Sequence, residues 1–424
     1  MKKIKVILIG AGDRGLIYTD IMGTMPEKFE VVAVAEPIDN RREYVRAKHN
    51  IPEERCFTHW KDLLALGKIA DAAVITTMDR DHTAPALIAA DLGYDMLLEK
   101  PIASTPEDCV AVRDRAVANN VKVVLGTVLR YTDIFNCLKN LIDSGRLGEV
   151  MSINHEECVG NVHQTHSFVR GKWGNEGRSS FMLLQKSCHD FDILQWLLGK
   201  KCRKVQSFGT LSYFTKENAP EGAPDYCVQG CPAAEECPYH VDKVYMTCEP
   251  VSWFGKDITR QVIPTKEMMA EAVTHDPYGR CVFKCDNDVV DHQTVNMLFD
   301  GGVTVTFSMN AFNKGGRHIH IMGTKGEVHA AMDGESPVKL FDFKTRETET
   351  VPLTAADGMN GGHGGGDGGI IVDFYDYLAG IYTGKSVPTI EESCYNHLIT
   401  FAAEEARLTG TIVDVDEYIK KVQG

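Results

Sequence analysis

Between Ile4 and about Thr127, short β-branched runs alternate with stretches of helical period: Lys5 to Ile9, Phe29 to Ala35, Asp71 to Thr76, Asp95 to Leu98 and Val121 to Leu125. Strands buried on both faces read as continuous apolar runs, so this rhythm predicts a parallel, doubly wound α/β sheet. After Gly126 the pattern changes. It predicts a helix over Thr132 to Ser144, a strand over Val150 to Glu157, a loop rich in His, Gly and Arg, and a helix from about Met182 to Leu198. Longer strands of alternating apolar and polar residues follow at Val205 to Tyr213, Val289 to Leu298, Val303 to Asn310, His318 to Met322 and Glu327 to Ala331. Alternation over such lengths belongs to a mostly antiparallel sheet with one covered face, so the second region reads as α+β. Two late helices, near Ile370 to Tyr382 and Glu391 to Leu408, close the chain. The predicted division is a parallel domain over 1–127 and an α+β domain over 128–424. The stretch from about 214 to 280, rich in Pro, Cys and acids and without a sustained period, reads as an insertion.

Composition narrows the functional classes. With 43% hydrophobic and 25% charged residues the chain is that of a globular protein, and no apolar run approaches the roughly 20 residues that span a bilayer. The formal charge of −14, from 45 basic and 59 acidic residues, argues against nucleic acid, whose phosphates need a basic footprint. The apolar run at the N-terminus is too short for a signal peptide, and thirteen scattered cysteines do not form a disulfide scaffold, so a cytoplasmic location is expected.

The first run ends in Gly10-Ala11-Gly12-Asp13-Arg14-Gly15 and leads into a helical stretch. In that context G-x-G-x-x-G predicts a Rossmann βαβ unit. The first glycine permits the tight turn, the second the approach of a pyrophosphate, and the third close packing of helix on strand. The helix N-terminus then offers free N–H groups to the phosphates. Glu36 closes the second run, where a carboxylate accepts from a ribose 2′-hydroxyl and repels a 2′-phosphate. NAD is therefore expected rather than NADP, although Arg41 and Arg42 follow closely. Thr77, His82, Glu99 and Lys100 complete the candidate cofactor contacts.

Glu99-Lys100-Pro101 puts a lysine at the carboxyl edge of the parallel sheet, where open α/β folds bind ligands. A surface salt bridge is the competing reading of Lys100. Further on, Gln185, His189 and Asp192 fall on one helical face, with Lys186 beside His189 and Asp190. His189 suits proton abstraction from a carbinol, and Lys100 suits stabilisation of the developing alkoxide, with Lys186 as a further catalytic candidate.

The glycine loop, Glu99-Lys100-Pro101, the segment Tyr131 to Gly148 ending in Gly145-Arg146-Leu147-Gly148-Glu149, the His189-x-x-Asp192 helix ending in Trp196-Leu197-Leu198-Gly199, and Ile321-Met322-Gly323-Thr324-Lys325-Gly326 occur in this order. Together they resemble the glucose-fructose oxidoreductase, inositol dehydrogenase and MocA family over most of the chain apart from the insertion. The resemblance implies a small carbohydrate or cyclitol ligand between the two domains, a homo-oligomer formed through the open sheet, and a reaction centre at Lys100 and His189. Arg130, Tyr131, Gln185, Asp190 and His363 are the candidate substrate contacts. Many dehydrogenases of that family carry an aspartate four residues before the histidine, where this chain has Gln185. The segment Gly361-Gly362-His363-Gly364-Gly365-Gly366-Asp367 reads either as a flexible linker or as similar to the family's NAD-dependent glycosidases, in which NAD is recycled. A protein that retains NAD without turnover is the third reading.

The insertion holds Cys227, Cys231 and Cys237, with His240 close behind. Three soft ligands in a short loop suit a structural zinc site, with Cys248, Cys281, Cys285 or His240 as fourth and Cys281 taken as the candidate. Buried free thiols, a disulfide and an iron–sulfur cluster are the alternatives.

Overall fold

The computed structural model describes residues 3–250, 252–353 and 365–424. Strands β1 (Ile4–Ile9), β2 (Phe29–Ala35), β3 (Cys56–Phe57), β4 (Ala72–Ile75), β5 (Asp95–Leu98) and β6 (Val123–Leu125) form a parallel sheet in the order β3-β2-β1-β4-β5-β6. Apart from exposed Lys5 and Glu30 and the half-buried β3, most of their side chains are buried on both faces, which is why they read as nearly continuous apolar runs. The order reverses between β1 and β4. The crevice at the carboxyl ends of these two strands is the place where doubly wound sheets take ligands.

The second sheet contains β7 (Val150–Cys158), β8 (Cys202–Thr210), β9 (His292–Phe299), β10 (Thr304–Asn310), β11 (Gly316–Gly323), β12 (Gly326–Ala331), β13 (Val338–Asp342), β14 (Thr348–Val351) and β15 (Val413–Asp414). Its order is β14-β13-β12-β11-β7-β10-β9-β8-β15, and only β7 and β10 pair in parallel among the described residues. Gln293, Val295, Met297 and Phe299 of β9 point into the protein while Thr294, Asn296 and Leu298 face out, the one-sided burial that alternation predicts.

The late helices join the two sheets. Helix Ile390–Thr409 starts in a capping box, with the Glu392 N–H donating to Thr389 Oγ1 (3.1 Å) and the Thr389 N–H to Glu392 Oε2 (3.0 Å). It packs between helix Pro106–Ala118 of the first unit and helix Cys188–Leu198 of the second. Helix Gly366–Ala379 lays Ile370, Ile371, Phe374 and Tyr375 on the apolar residues of the first unit, including Phe29 and Val31. The 214–280 stretch is not peripheral. It folds into short helices, Val241–Val244, Trp253–Thr259 and Lys266–Ala272, over two small apolar clusters, and leans across the crevice. No helix among the described residues is long and apolar enough to cross a membrane.

Candidate functional site

A cleft of about 1230 Å³ runs from the glycine loop to the helix bearing His189. Ligand pockets usually measure roughly 300 to 1,000 Å³, so this one has room for a dinucleotide and a second molecule. At its first end Gly10 has φ +90°, and a Cβ there would lie 2.7 Å from the Thr76 carbonyl oxygen. A Cβ on Gly15 would lie 2.2 Å from the Gly10 oxygen, so this glycine is what lets helix Asp13–Gly23 sit on β1. Gly12 meets nothing within 4 Å. Its open side faces the cleft, and the helix it precedes has no side-chain cap, so the backbone N–H groups of the first turn, that of Asp13 among them, remain available to an anion. A Gly15→Val variant is expected to lose NAD binding and to unfold at lower temperature, as measured by ligand fluorescence and calorimetry.

Glu36 is 4% exposed, and both of its carboxylate oxygens are engaged: Oε2 accepts from the Ala11 N–H (2.6 Å) and Oε1 from the Ile38 N–H (2.9 Å). It therefore ties the glycine loop to the end of β2. Arg42 donates to the Glu36 carbonyl (2.7 Å) and to Asp39, whereas Arg41 lines the cleft. Arg14 does not stand free for phosphate. Its guanidinium donates to Glu99 Oε1 (3.1 Å), the Tyr18 hydroxyl (2.8 Å) and Asp367 Oδ1 (2.7 Å), which joins the loop helix, the end of β5 and the late helix Gly366–Ala379. Two buried polar atoms at this end have no partner, Arg14 Nη1 and Thr77 Oγ1. Both residues line the cleft, and such orphaned groups fit a polar ligand such as a dinucleotide. His82 lies behind the wall, with Nδ1 at 2.6 Å from the Pro101 carbonyl and Nε2 at 3.0 Å from the Thr77 carbonyl. It braces two strand ends rather than lining the cleft.

At the far end, Lys100 precedes a cis peptide bond to Pro101 and donates from Nζ to the Gln185 carbonyl (2.7 Å), 6.0 Å from the Trp173 ring centroid. The helix after Met182 begins with a π-helical turn, Leu183–Ser187, before the α-helix Cys188–Leu198. The wider turn brings consecutive residues, Gln185 and Lys186, to the cleft together with His189. Lys186 pairs with Glu157 Oε1 (3.4 Å). Burial pulls its pKa below the ordinary lysine value, Glu157 opposes this, and Arg317 and Lys100 add to it by repulsion.

Three candidate substrate contacts are corrected by the structure. Asp190, next in sequence to His189, is turned about 100° around the helix and is wholly buried, accepting from Arg317 Nε (2.8 Å) and contacting His155 Nε2 (2.8 Å). Arg130 is buried in a two-pronged ion pair with Asp192, Nε to Oδ2 and Nη2 to Oδ1 both at 2.7 Å, and Asn396 donates to the same carboxylate. Tyr131 is 4% exposed, its side chain packed near Gly369. These groups hold the scaffold and do not line the cleft. His363 lies outside the described residues.

Sequence patterns did not reveal the residues that complete the pocket. His163, Phe168 and Trp173 come from the His- and Gly-rich loop, Arg317 from β11, and Trp253, Asp257 and Tyr278 from the insertion. Burial first, then the charges of Lys186, Arg317 and Lys100, hold the His163 imidazole well below its usual pKa, so a neutral second imidazole faces the cleft. Only the abundance of His and aromatic residues in these loops signalled them.

Cys227, Cys231, Cys237 and Cys281, with His240, line one small void beside Arg170 and Phe283. All four cysteines are free thiols. Among the described residues, the only trio of metal-ligating groups with donor atoms within 4.8 Å of one another is His320, Glu327 and His329 on β11 and β12.

Known proteins share this architecture. Residues 4–127 match the model of the Gfo/Idh/MocA oxidoreductase family's NAD-binding Rossmann fold, and residues 139–415 match that of its C-terminal α/β domain. The putative oxidoreductase YteT of Bacillus subtilis (strain 168) is 26% identical over 341 residues, 75% of this chain and 77% of that protein. Inositol 2-dehydrogenase of Corynebacterium glutamicum (strain R) is 24% identical over 206 residues, 48% of this chain, so the match spans only 57% of that enzyme. Among solved structures, levoglucosan dehydrogenase in complex with NADH and L-sorbose aligns with a TM-score of 0.71 at 17% identity, covering 98% of this chain and 99% of that one. Myo-inositol 2-dehydrogenase from Lactobacillus plantarum aligns with a TM-score of 0.65 at 15% identity, covering 97% and 99%.

Proposed function

The chain belongs to the Gfo/Idh/MocA oxidoreductase family, with its NAD-binding Rossmann domain, and from that premise we propose that it oxidises a secondary hydroxyl of a sugar or cyclitol, with NAD as acceptor. The observation that carries this reading is the convergence of Lys100, Lys186, His189 and His163 at one end of the cleft whose other end is the glycine loop. When bound, NAD supplies the acceptor for the hydride that leaves the carbinol carbon.

His189, on the rigid helix, takes the hydroxyl proton, and Lys100 stabilises the oxygen as it becomes negative. Lys100 is fixed by the backbone carbonyl of Gln185, a contact that does not depend on which side chain stands at that position. Trp173, Trp253 and Tyr278 provide apolar walls, and the imidazoles and ammonium groups, with Gln185, Asp257 and Arg317, are polar groups that orient a polyhydroxylated ligand. A panel of free sugars, cyclitols and chromogenic glycosides with NAD tests this. Net formation of reduced nicotinamide with a free carbohydrate is expected. Aglycone release without it would replace the reading by a redox-neutral glycosidase.

We read Glu36 as favouring NAD over NADP, because a carboxylate at the end of β2 accepts from a ribose 2′-hydroxyl and repels a 2′-phosphate. Glu36→Gln is expected to weaken NAD binding by about 10- to 100-fold, since hydrogen bonds to charged groups contribute roughly 1.5–3 kcal/mol. Titration of NADH fluorescence checks this, and an unchanged Kd would contradict it. Self-association through the outer face of the second sheet is proposed with it. Exposed Met151, Phe208 and Leu298 on β7, β8 and β9 support this, and sedimentation reads the assembly.

A further inference from the structure

The strongest unexplained feature outside the reaction centre is Arg170. Its side chain is buried, and its guanidinium donates to the carbonyls of Arg280 (2.7 Å, from Nε) and Tyr239 (2.8 Å, from Nη2) and lies 3.5 Å from Cys227 Sγ. Nη1 has no hydrogen-bond partner. Among the described residues no carboxylate pairs with it, and the Tyr245 ring centroid lies 5.6 Å from its Cζ. A buried cation without an anion costs several kcal/mol, and proteins seldom leave one so. Arg170 borders the small void lined by Cys227, Cys231, Cys237 and Cys281, and it also borders the cleft.

We propose that these four thiols bind one divalent soft metal ion, zinc being the fitting case, and that the resulting thiolate centre is the counter-charge for Arg170. Each cysteine loses its proton on binding. Four thiolates around a 2+ ion carry a net charge of 2−, which the guanidinium partly balances. The ligands come from distant parts of the chain: three from a short loop, and Cys281 from just beyond the far side of helices Trp253–Thr259 and Lys266–Ala272. Closing them on one ion fastens the two ends of the segment that supplies Trp253, Asp257 and Tyr278 to the cleft.

No three of these sulfurs lie within 4.8 Å of one another in this arrangement. Binding therefore draws the thiols inward, and rotation between staggered χ1 wells moves a thiol by a few ångström without backbone change. All four cysteines, together with His240, line the same small void.

Elemental analysis of untagged, full-length protein tests the site. Equimolar zinc is expected in wild type and in His320→Ala, and less than about a tenth of that in Cys231→Ser and Cys237→Ser. Because loss of a structural metal can itself impair folding of those variants, the wild type is also treated with a thiol-blocking mercurial in the presence of a zinc-sensitive dye. Release of zinc in step with the blocking of four thiols is expected. Metal-free wild type with all thirteen thiols titrating, a disulfide among the four cysteines, or metal lost in His320→Ala but kept in the cysteine variants would each overturn the proposal.

Discussion

Replacing Lys100 by Met is expected to lower kcat by about 10²- to 10³-fold while NAD affinity changes by no more than a few-fold, because the loss falls on an interaction that strengthens as the oxygen becomes negative. Nζ is held by the Gln185 carbonyl at 2.7 Å and stands near the Trp173 ring, and no carboxylate pairs with it among the described residues. Its charge is therefore not neutralised by a neighbour. Methionine keeps the length and packing of the stem and removes only the ammonium. Steady-state kinetics at saturating NAD, with Kd measured separately, checks the result. A kcat within about threefold of wild type would remove Lys100 from the reaction centre. His189→Ala is expected to fall in the same range by loss of the base.

Arg317→Met is expected to destabilise the fold by about 3–5 kcal/mol, the usual consequence of removing one partner from a buried ion pair. Arg317 holds two buried carboxylates, donating to Asp190 Oδ1 at 2.8 Å and pairing with Glu157. Burial on its own would raise the Asp190 pKa. Arg317 and the His155 hydrogen bond outweigh it and hold Asp190 down to about 2. An unfolded aspartate titrates near about 3.9, so this depressed group contributes stability that is complete above that pH and is lost as pH falls toward about 2. In Arg317→Met the carboxylate is left buried without its cation and protonates more easily. The gap in urea-unfolding free energy between variant and wild type is therefore expected to be largest near neutrality and to narrow in acid. A difference below about 1 kcal/mol at neutral pH would contradict the assignment.

The parallel sheet was legible because β1, β2, β4 and β5 are largely buried on both faces and leave nearly continuous apolar runs. β14, an edge strand reading Thr-Glu-Thr-Val with its first three residues exposed, carries no such signal, and the two-residue β3 and β15 are too short to show a period. The insertion gave no period because its helices have only four to seven residues and pack into separate small clusters. Gly10 and Gly15 were readable because the glycine spacing and the approach of Gly15 to Gly10 are local to the loop, although Gly10 also packs on the distant Thr76. The facing of Asp190 and Arg130 was not, since burial against Arg317 and Asp192 depends on residues 127 and 62 positions away. Nearness to His189 in sequence suggested the cleft for Asp190, and the helix turned it inward. His163, Arg317, Trp253 and Tyr278 meet only through the tertiary fold, and spacing along the chain had no means of bringing them together.

Whether carbohydrate oxidation reduces bound nicotinamide decides the proposed function most directly. Single-turnover absorbance of the protein, loaded with NAD and mixed with the sugar and cyclitol panel, measures this. At least one member is expected to give a rise in reduced nicotinamide approaching one equivalent per bound NAD, and Lys100→Met and His189→Ala are expected to suppress it. NAD held at full occupancy with no reduction by any carbohydrate would contradict the proposed function.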